Sequence, residues 1–321
     1  MPDEQFDPSL ELWLGGRLLR NNVSLESEVA MKICVSMSLF VFLSLGLGLF
    51  SSFADAAERA AESRQTLLLG QAVYEANCAV CHGVNGDGNG AMAHMFRIQP
   101  RDFRRGIFKF RSTPTGSLPT DDDIVKTIAS GVRWTAMIAR PDLTERERRA
   151  VVQYLKAFSP RFANESPEKS VVVPAVPKRS EELVTGGKRL YREIGCPSCH
   201  GDEGKGDGPS APGMKDDWGS PTWPSDLTWR PLKRGSDIRE TYLTLVTGLS
   251  GTPMPSYANS LDAQQTWALV YYLESLVPAD RRLSPDRILG EEQSGWMALR
   301  MGGMMGRGMM GPGMMRRMPS R

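Results

Sequence analysis

Two stretches of the chain repeat one apolar stripe. Val151, Val152, Tyr154, Leu155 and Phe158 recur at helical spacing, and Thr144 with Glu147 ahead of them makes a capping box, so the pattern predicts an amphipathic helix. Leu269, Val270, Tyr272, Leu273 and Leu276 form the same stripe, with Asp262 and Gln265 as the start signal. A third apolar run differs in kind. Ile33 to Phe50 carries no charge, follows Met31-Lys32 and precedes Ala54-Asp55-Ala56, which predicts a secretory signal peptide over 31–56. An uncleaved anchor is the competing reading, since the run sits at the lower limit for spanning a membrane; Gly46 and Gly48 weaken a helix there and favour cleavage. The polar, acidic residues 1–30 ahead of it read as a start assigned too early or as an extension. Residues 166–180, with Val171-Val172-Val173-Pro174-Ala175-Val176-Pro177 among charges, predict an extended linker between two halves, 57–165 and 181–282.

Composition adds that loops are long: 32 glycines and 22 prolines accompany an ordinary 40% apolar content. The formal net charge is only +2 and the basic residues are scattered, so nothing suggests a nucleic-acid partner.

Four of the five cysteines stand in two copies of one motif, Cys78-Ala79-Val80-Cys81-His82 and Cys196-Pro197-Ser198-Cys199-His200. C-x-x-C-H is the sequence of covalent haem attachment: two thiols a helical turn apart can each add to a vinyl group of one porphyrin, and the adjoining histidine reaches the iron. A zinc site or a redox disulfide is the alternative for a lone C-x-x-C. Zinc needs further thiols or histidines, and outside the motifs the chain offers only His94 and Cys34, the latter inside the predicted signal peptide.

The motifs belong to an internal repeat. Gly70 and Tyr74 lead into the first as Gly187 and Tyr191 lead into the second, and each histidine is followed by a glycine-rich loop, 83–88 and 201–206. Farther on, Gly131 to Met137 matches Gly248 to Met254 with glycine, threonine and methionine in register. Tyr154-Leu155 and Tyr272-Leu273 close the two halves.

This duplicated set resembles the class I c-type cytochromes in a tandem diheme arrangement. The resemblance implies an all-α fold, two tandem cytochrome c domains joined by the Pro/Val-rich linker, and two covalently attached haem c groups. Carried over, it gives Cys78, Cys81, His82 and Met137 for the first haem and Cys196, Cys199, His200 and Met254 for the second. The family's Met-Pro is present at Met254-Pro255 but is Met137-Ile138 in the first half, where His94, Met92 and Met95 compete as distal ligands. Histidine there would lower the haem potential.

Other residues have two readings each. Arg101 to Arg105 and Lys109 to Arg111 form either a propionate-binding set or a solvated basic face. Trp134, Trp223 and Trp229 are either core aromatics or donors at porphyrin edges, and Tyr74 and Tyr191 read as packing residues. No acid-base or nucleophilic set remains once the haem ligands are assigned. The tail over 283–321, rich in methionine, glycine and arginine, reads as disordered alone; its thioethers would suit Cu(I), and its arginines an acidic partner. The expectation is thus a periplasmic diheme cytochrome carrying single electrons between redox proteins, donor and acceptor, free or as the cytochrome subunit of a respiratory complex. It would not insert stably in a membrane if the signal is cleaved. A diheme enzyme of peroxidase or thiosulfate-oxidising type, with an open distal position, is the alternative.

Overall fold

The structure, a computed structural model, describes residues 58–282. The extension of 1–30, the signal peptide of 31–56 with Cys34, and the tail of 283–321 lie outside the described residues. Within them the fold is all-α: the secondary structure is helical, with three isolated bridges and no strand. None of these helices is long and apolar enough to cross a membrane.

The first half contains α1 (58–77), α2 (Ala79–His82), α3 (Asp121–Ser130), α4 (Glu145–Lys156) and α5 (Arg161–Asn164). Its core joins Val73 and Tyr74 of α1, Ile124, Val125 and Ile128 of α3, and Val151, Val152 and Leu155 of α4, with Phe103 from the intervening loop. The second half contains α6 (Glu181–Glu193), α7 (Pro197–His200), α8 (Ile238–Thr247) and α9 (Ala263–Ser275). Leu190, Tyr191, Tyr242, Leu245, Leu269, Val270 and Leu273 fill its core.

Both expected capping boxes form, Thr144 with Glu147 and Asp262 with Gln265, each side chain bonded to the other's backbone N–H. The apolar stripes outrun their helices. Phe158 stands two residues past the end of α4, yet its ring packs 5.2 Å from that of Tyr74.

Each half is tightest where its first helix crosses its last. A Cβ at Gly70 would lie 2.2 Å from the Ala150 carbonyl oxygen, and one at Gly187 would lie 2.0 Å from that of Ala268. Only glycine permits backbones that close, and the crossing orients the attachment turn that follows.

Residues 166–180 hold no helix and run between the halves. Val171 N–H donates to the Ser112 carbonyl at 2.8 Å, while Val173 and Val176 pack on the second core.

The halves meet along a polar seam. The buried Arg111 guanidinium donates to the Thr247 carbonyl at 2.7 Å, and Thr115 Oγ1 donates to the same oxygen at 2.7 Å. Lys126 and Arg234 both pair with Glu240, and the Trp134 indole N–H donates to the Pro231 carbonyl at 2.8 Å.

Candidate functional site

Both C-x-x-C-H motifs fold as a single helical turn. His82 N–H donates to the Cys78 carbonyl at 2.9 Å, and His200 N–H donates to the Cys196 carbonyl at 2.9 Å. Glycine ends each turn in the left-handed region, Gly83 at φ 78° and Gly201 at φ 77°, which a side chain would oppose. The loops that follow match bond for bond. Gly88 N–H reaches the His82 carbonyl at 2.9 Å and Gly206 that of His200 at 2.8 Å; Gly90 reaches Cys81 and Gly208 reaches Cys199, each at 3.1 Å.

The histidines are set by their outer nitrogens. His82 Nδ1 lies 3.0 Å from the Arg101 carbonyl oxygen and His200 Nδ1 lies 3.0 Å from that of Ser225. A carbonyl can only accept, so Nδ1 carries the proton and the Nε2 lone pair is left for a metal. Burial lowers the pKa of both rings, which favours the neutral, ligating form. Phe103 stacks on His82 with centroids 4.6 Å apart and planes at 22°.

The four motif cysteines form no disulfide with one another, and burial pushes the Cys78 and Cys196 thiols up to about 11. Among the described residues no three His, Cys, Asp or Glu side chains gather as a metal site. Two thiols and an imidazole on one turn fit haem c.

The methionine loops are also duplicates. Thr135 Oγ1 donates to the Val132 carbonyl at 2.7 Å and accepts from Met137 N–H at 3.1 Å, while Val132 N–H returns to the Met137 carbonyl at 2.8 Å. Thr252 Oγ1 donates to Leu249 at 2.7 Å and accepts from Met254 N–H at 3.3 Å, and Leu249 N–H returns to the Met254 carbonyl at 3.1 Å. The loop geometry therefore does not need the proline that Ile138 replaces. Met92, His94 and Met95 are exposed, on and beside a 3₁₀ turn, Ala93–Met95, whose Ala93 is buried.

Several secondary readings are corrected. Tyr74 and Tyr191 do more than pack, since each buried hydroxyl donates to the carbonyl of the glycine after the motif, Gly83 or Gly201, at 2.6 Å. Trp134 spends its indole N–H on Pro231 across the seam and stacks edge-on with Trp229 at 5.8 Å, so it is no porphyrin donor. Trp223 lies under Arg97 at 3.7 Å. Arg101, Lys109 and Arg111 are not a solvated face, because they sit at the seam; only Arg104 and Arg105 are exposed. Sequence reasoning passed over Trp218, Lys233 and the helices α3 and α8. The start of α3 was readable as a third capping box, Thr120 with Asp123.

Comparison with known proteins follows this duplication. The family model "Cytochrome C oxidase, cbb3-type, subunit III" matches residues 65–155, and the model "Cytochrome c" matches 184–277. A solved chain of the Kuenenia stuttgartiensis reducing HAO-like protein complex Kustc0457/Kustc0458 is 45% identical, with a TM-score of 0.64, over 65% of this chain and 96% of its own. The chain is a tandem diheme class I c-type cytochrome. Two covalently bound haem c groups with iron go with its two domains, and the family is one of electron transfer. The cytochrome is also similar to the cbb3-type cytochrome c oxidase subunit CcoP of Helicobacter pylori. Identity is 24% over 141 residues for strain 52 and 25% over 140 for strain ATCC 700392 / 26695. Each match covers 43% of this cytochrome and 38% of the CcoP chain, so it spans less than half of those relatives.

Proposed function

We propose that this cytochrome is an exported, periplasmic subunit or close partner of a respiratory assembly, passing single electrons from a donor protein to an acceptor. Cys78 and Cys81 would carry the first haem, with His82 as proximal and Met137 as distal ligand; Cys196, Cys199, His200 and Met254 would serve the second. The observation that carries the reading is the bond-for-bond identity of the two methionine loops, which supports Met137 in the same role as Met254. Association with a larger assembly draws support from the likeness to CcoP and to a chain of the HAO-like complex.

When bound, each haem iron supplies a one-electron couple. The chain's own part is positional. The Arg101 and Ser225 carbonyls hold the imidazole tautomer, and the glycine turns keep the histidine-bearing backbone fixed. Thr135 and Thr252 brace the methionine loops, and the two aromatic cores exclude water. Rigid ligand sets keep reorganisation small on electron gain and loss.

The test is a spectroelectrochemical titration of the exported protein, followed by carbon monoxide added to the ferrous form. Two methionine-to-iron charge-transfer bands per chain and no carbon monoxide binding are expected. Loss of one band in Met137→His and of the other in Met254→His would assign them. Carbon monoxide binding at either haem would overturn the carrier in favour of a diheme enzyme.

A further inference from the structure

The two domains differ most in the loop behind the proximal histidine. The histidine-to-carbonyl bond spans 19 residues in the first domain and 25 in the second. The longer loop contains Trp218 and carries it across to the first domain. There the Arg101 guanidinium lies 4.0 Å from the centre of its ring, and Arg105 donates to the neighbouring Asp217 carbonyl at 2.9 Å. Arg101 thus touches both haem sites. Its main-chain oxygen holds His82, and its side chain reaches Gly251, where a Cβ would lie 2.8 Å from Arg101 Nη1, in the loop that bears Met254.

Lys109 and Lys233 are close enough to press on the same point. Burial and the positive charges of Arg101 and Lys233 push the Lys109 ammonium down to about 7, and Lys233 is lowered by burial. Among the described residues none of the three cations has an ion pair or a side-chain hydrogen bond, and the buried Trp218 indole N–H has no acceptor. Asp216 and Asp217 act on Arg101 only at a distance. Elsewhere on the seam, Lys126 and Arg234 share Glu240. Partly buried like charges and an orphan donor together call for an anion with several acceptor oxygens.

We propose that Arg101, Lys109, Lys233 and Trp218 form one carboxylate-binding site, built from both domains, that holds propionate groups of the second domain's haem. The first domain then supplies two of the three charges that position and tune its neighbour's haem. This rests on the two-haem reading, so haem per chain is counted first by pyridine haemochrome. Fewer than two haems overturns the functional reading, whereas two haems with the result below missing overturns the shared site alone.

The experiment compares midpoint potentials of both haems in Arg101→Gln, Arg101→Lys and Lys109→Met holoprotein, with and without inorganic phosphate. The second haem is identified by the methionine band lost in Met254→His. Removing a cation beside bound carboxylates disfavours the ferrous form, so the second haem's potential should fall in Arg101→Gln and Lys109→Met, and by more than the first haem's, at which the Arg101 charge is also felt. Arg101→Lys should recover much of the loss, and phosphate should change nothing. The His82 bond uses the backbone of residue 101 and survives these changes. An unshifted second haem overturns the site, and a shift seen only with phosphate assigns the cluster to a dissolved anion instead.

Discussion

At the scale of single residues, the duplication provides an internal control. Phe103 and Leu227 hold equivalent places, their N–H groups donating to Gly86 and Gly204 at 2.7 and 2.6 Å, but only Phe103 brings a ring to the proximal histidine. Phe103 also stacks with Phe108 at 5.8 Å. Phe103→Leu should copy the second domain, keeping both haems and costing about 1 kcal/mol through lost ring contacts. Chemical denaturation reads that loss, and a cost near zero would mean the ring adds nothing beyond its bulk. The attachment residues were legible because covalent chemistry fixes their spacing. The Arg101 and Ser225 carbonyls were not, since any residue supplies a carbonyl and only the folded loop selects which one.

At the scale of elements, the contrast between Gly186 and Gly187 is sharp. A Cβ at Gly186 meets nothing within 4 Å, whereas one at Gly187 collides with the Ala268 backbone. Gly186→Ala should stabilise α6 by about 0.5–1 kcal/mol through helix propensity. Gly187→Ala should cost about 3 kcal/mol or prevent folding, because backbone cannot yield as a side chain tip can. Thermal unfolding of the pair checks both signs; equal effects would mean that α6 and α9 do not cross there. The closing helices were legible from their capping boxes and stripes. Helices α3 and α8 were harder to read because each is ten residues long and stands among glycine- and proline-rich loops.

At the scale of the whole molecule, the seam depends on a strained residue. Trp134 holds φ 61°, and the matching position of the second methionine loop is Gly251 at φ 80°. A non-glycine residue there costs about 1–2 kcal/mol, offset by its hydrogen bond to Pro231 and its ring contact with Trp229. Trp134→Gly should therefore leave the first domain at least as stable while loosening the seam. Faster limited proteolysis within 166–180 is the expected sign, and an unchanged rate would show that Arg111, Thr115 and Glu240 hold the halves without it. None of this pairing was legible beforehand, because the seam joins residues more than ninety positions apart and no periodicity marks them. The linker gives the seam its meaning. It is fastened to the first domain at Ser112 and rests on the second through Val173 and Val176, so each domain sees the other at an effective concentration of about a millimolar or more. A contact worth about 6 kcal/mol then stays mostly closed, although separate proteins of that affinity would drift apart at micromolar levels. The covalent join thus lets an interface rich in charge stay closed and keep two haem-attachment turns within one unit.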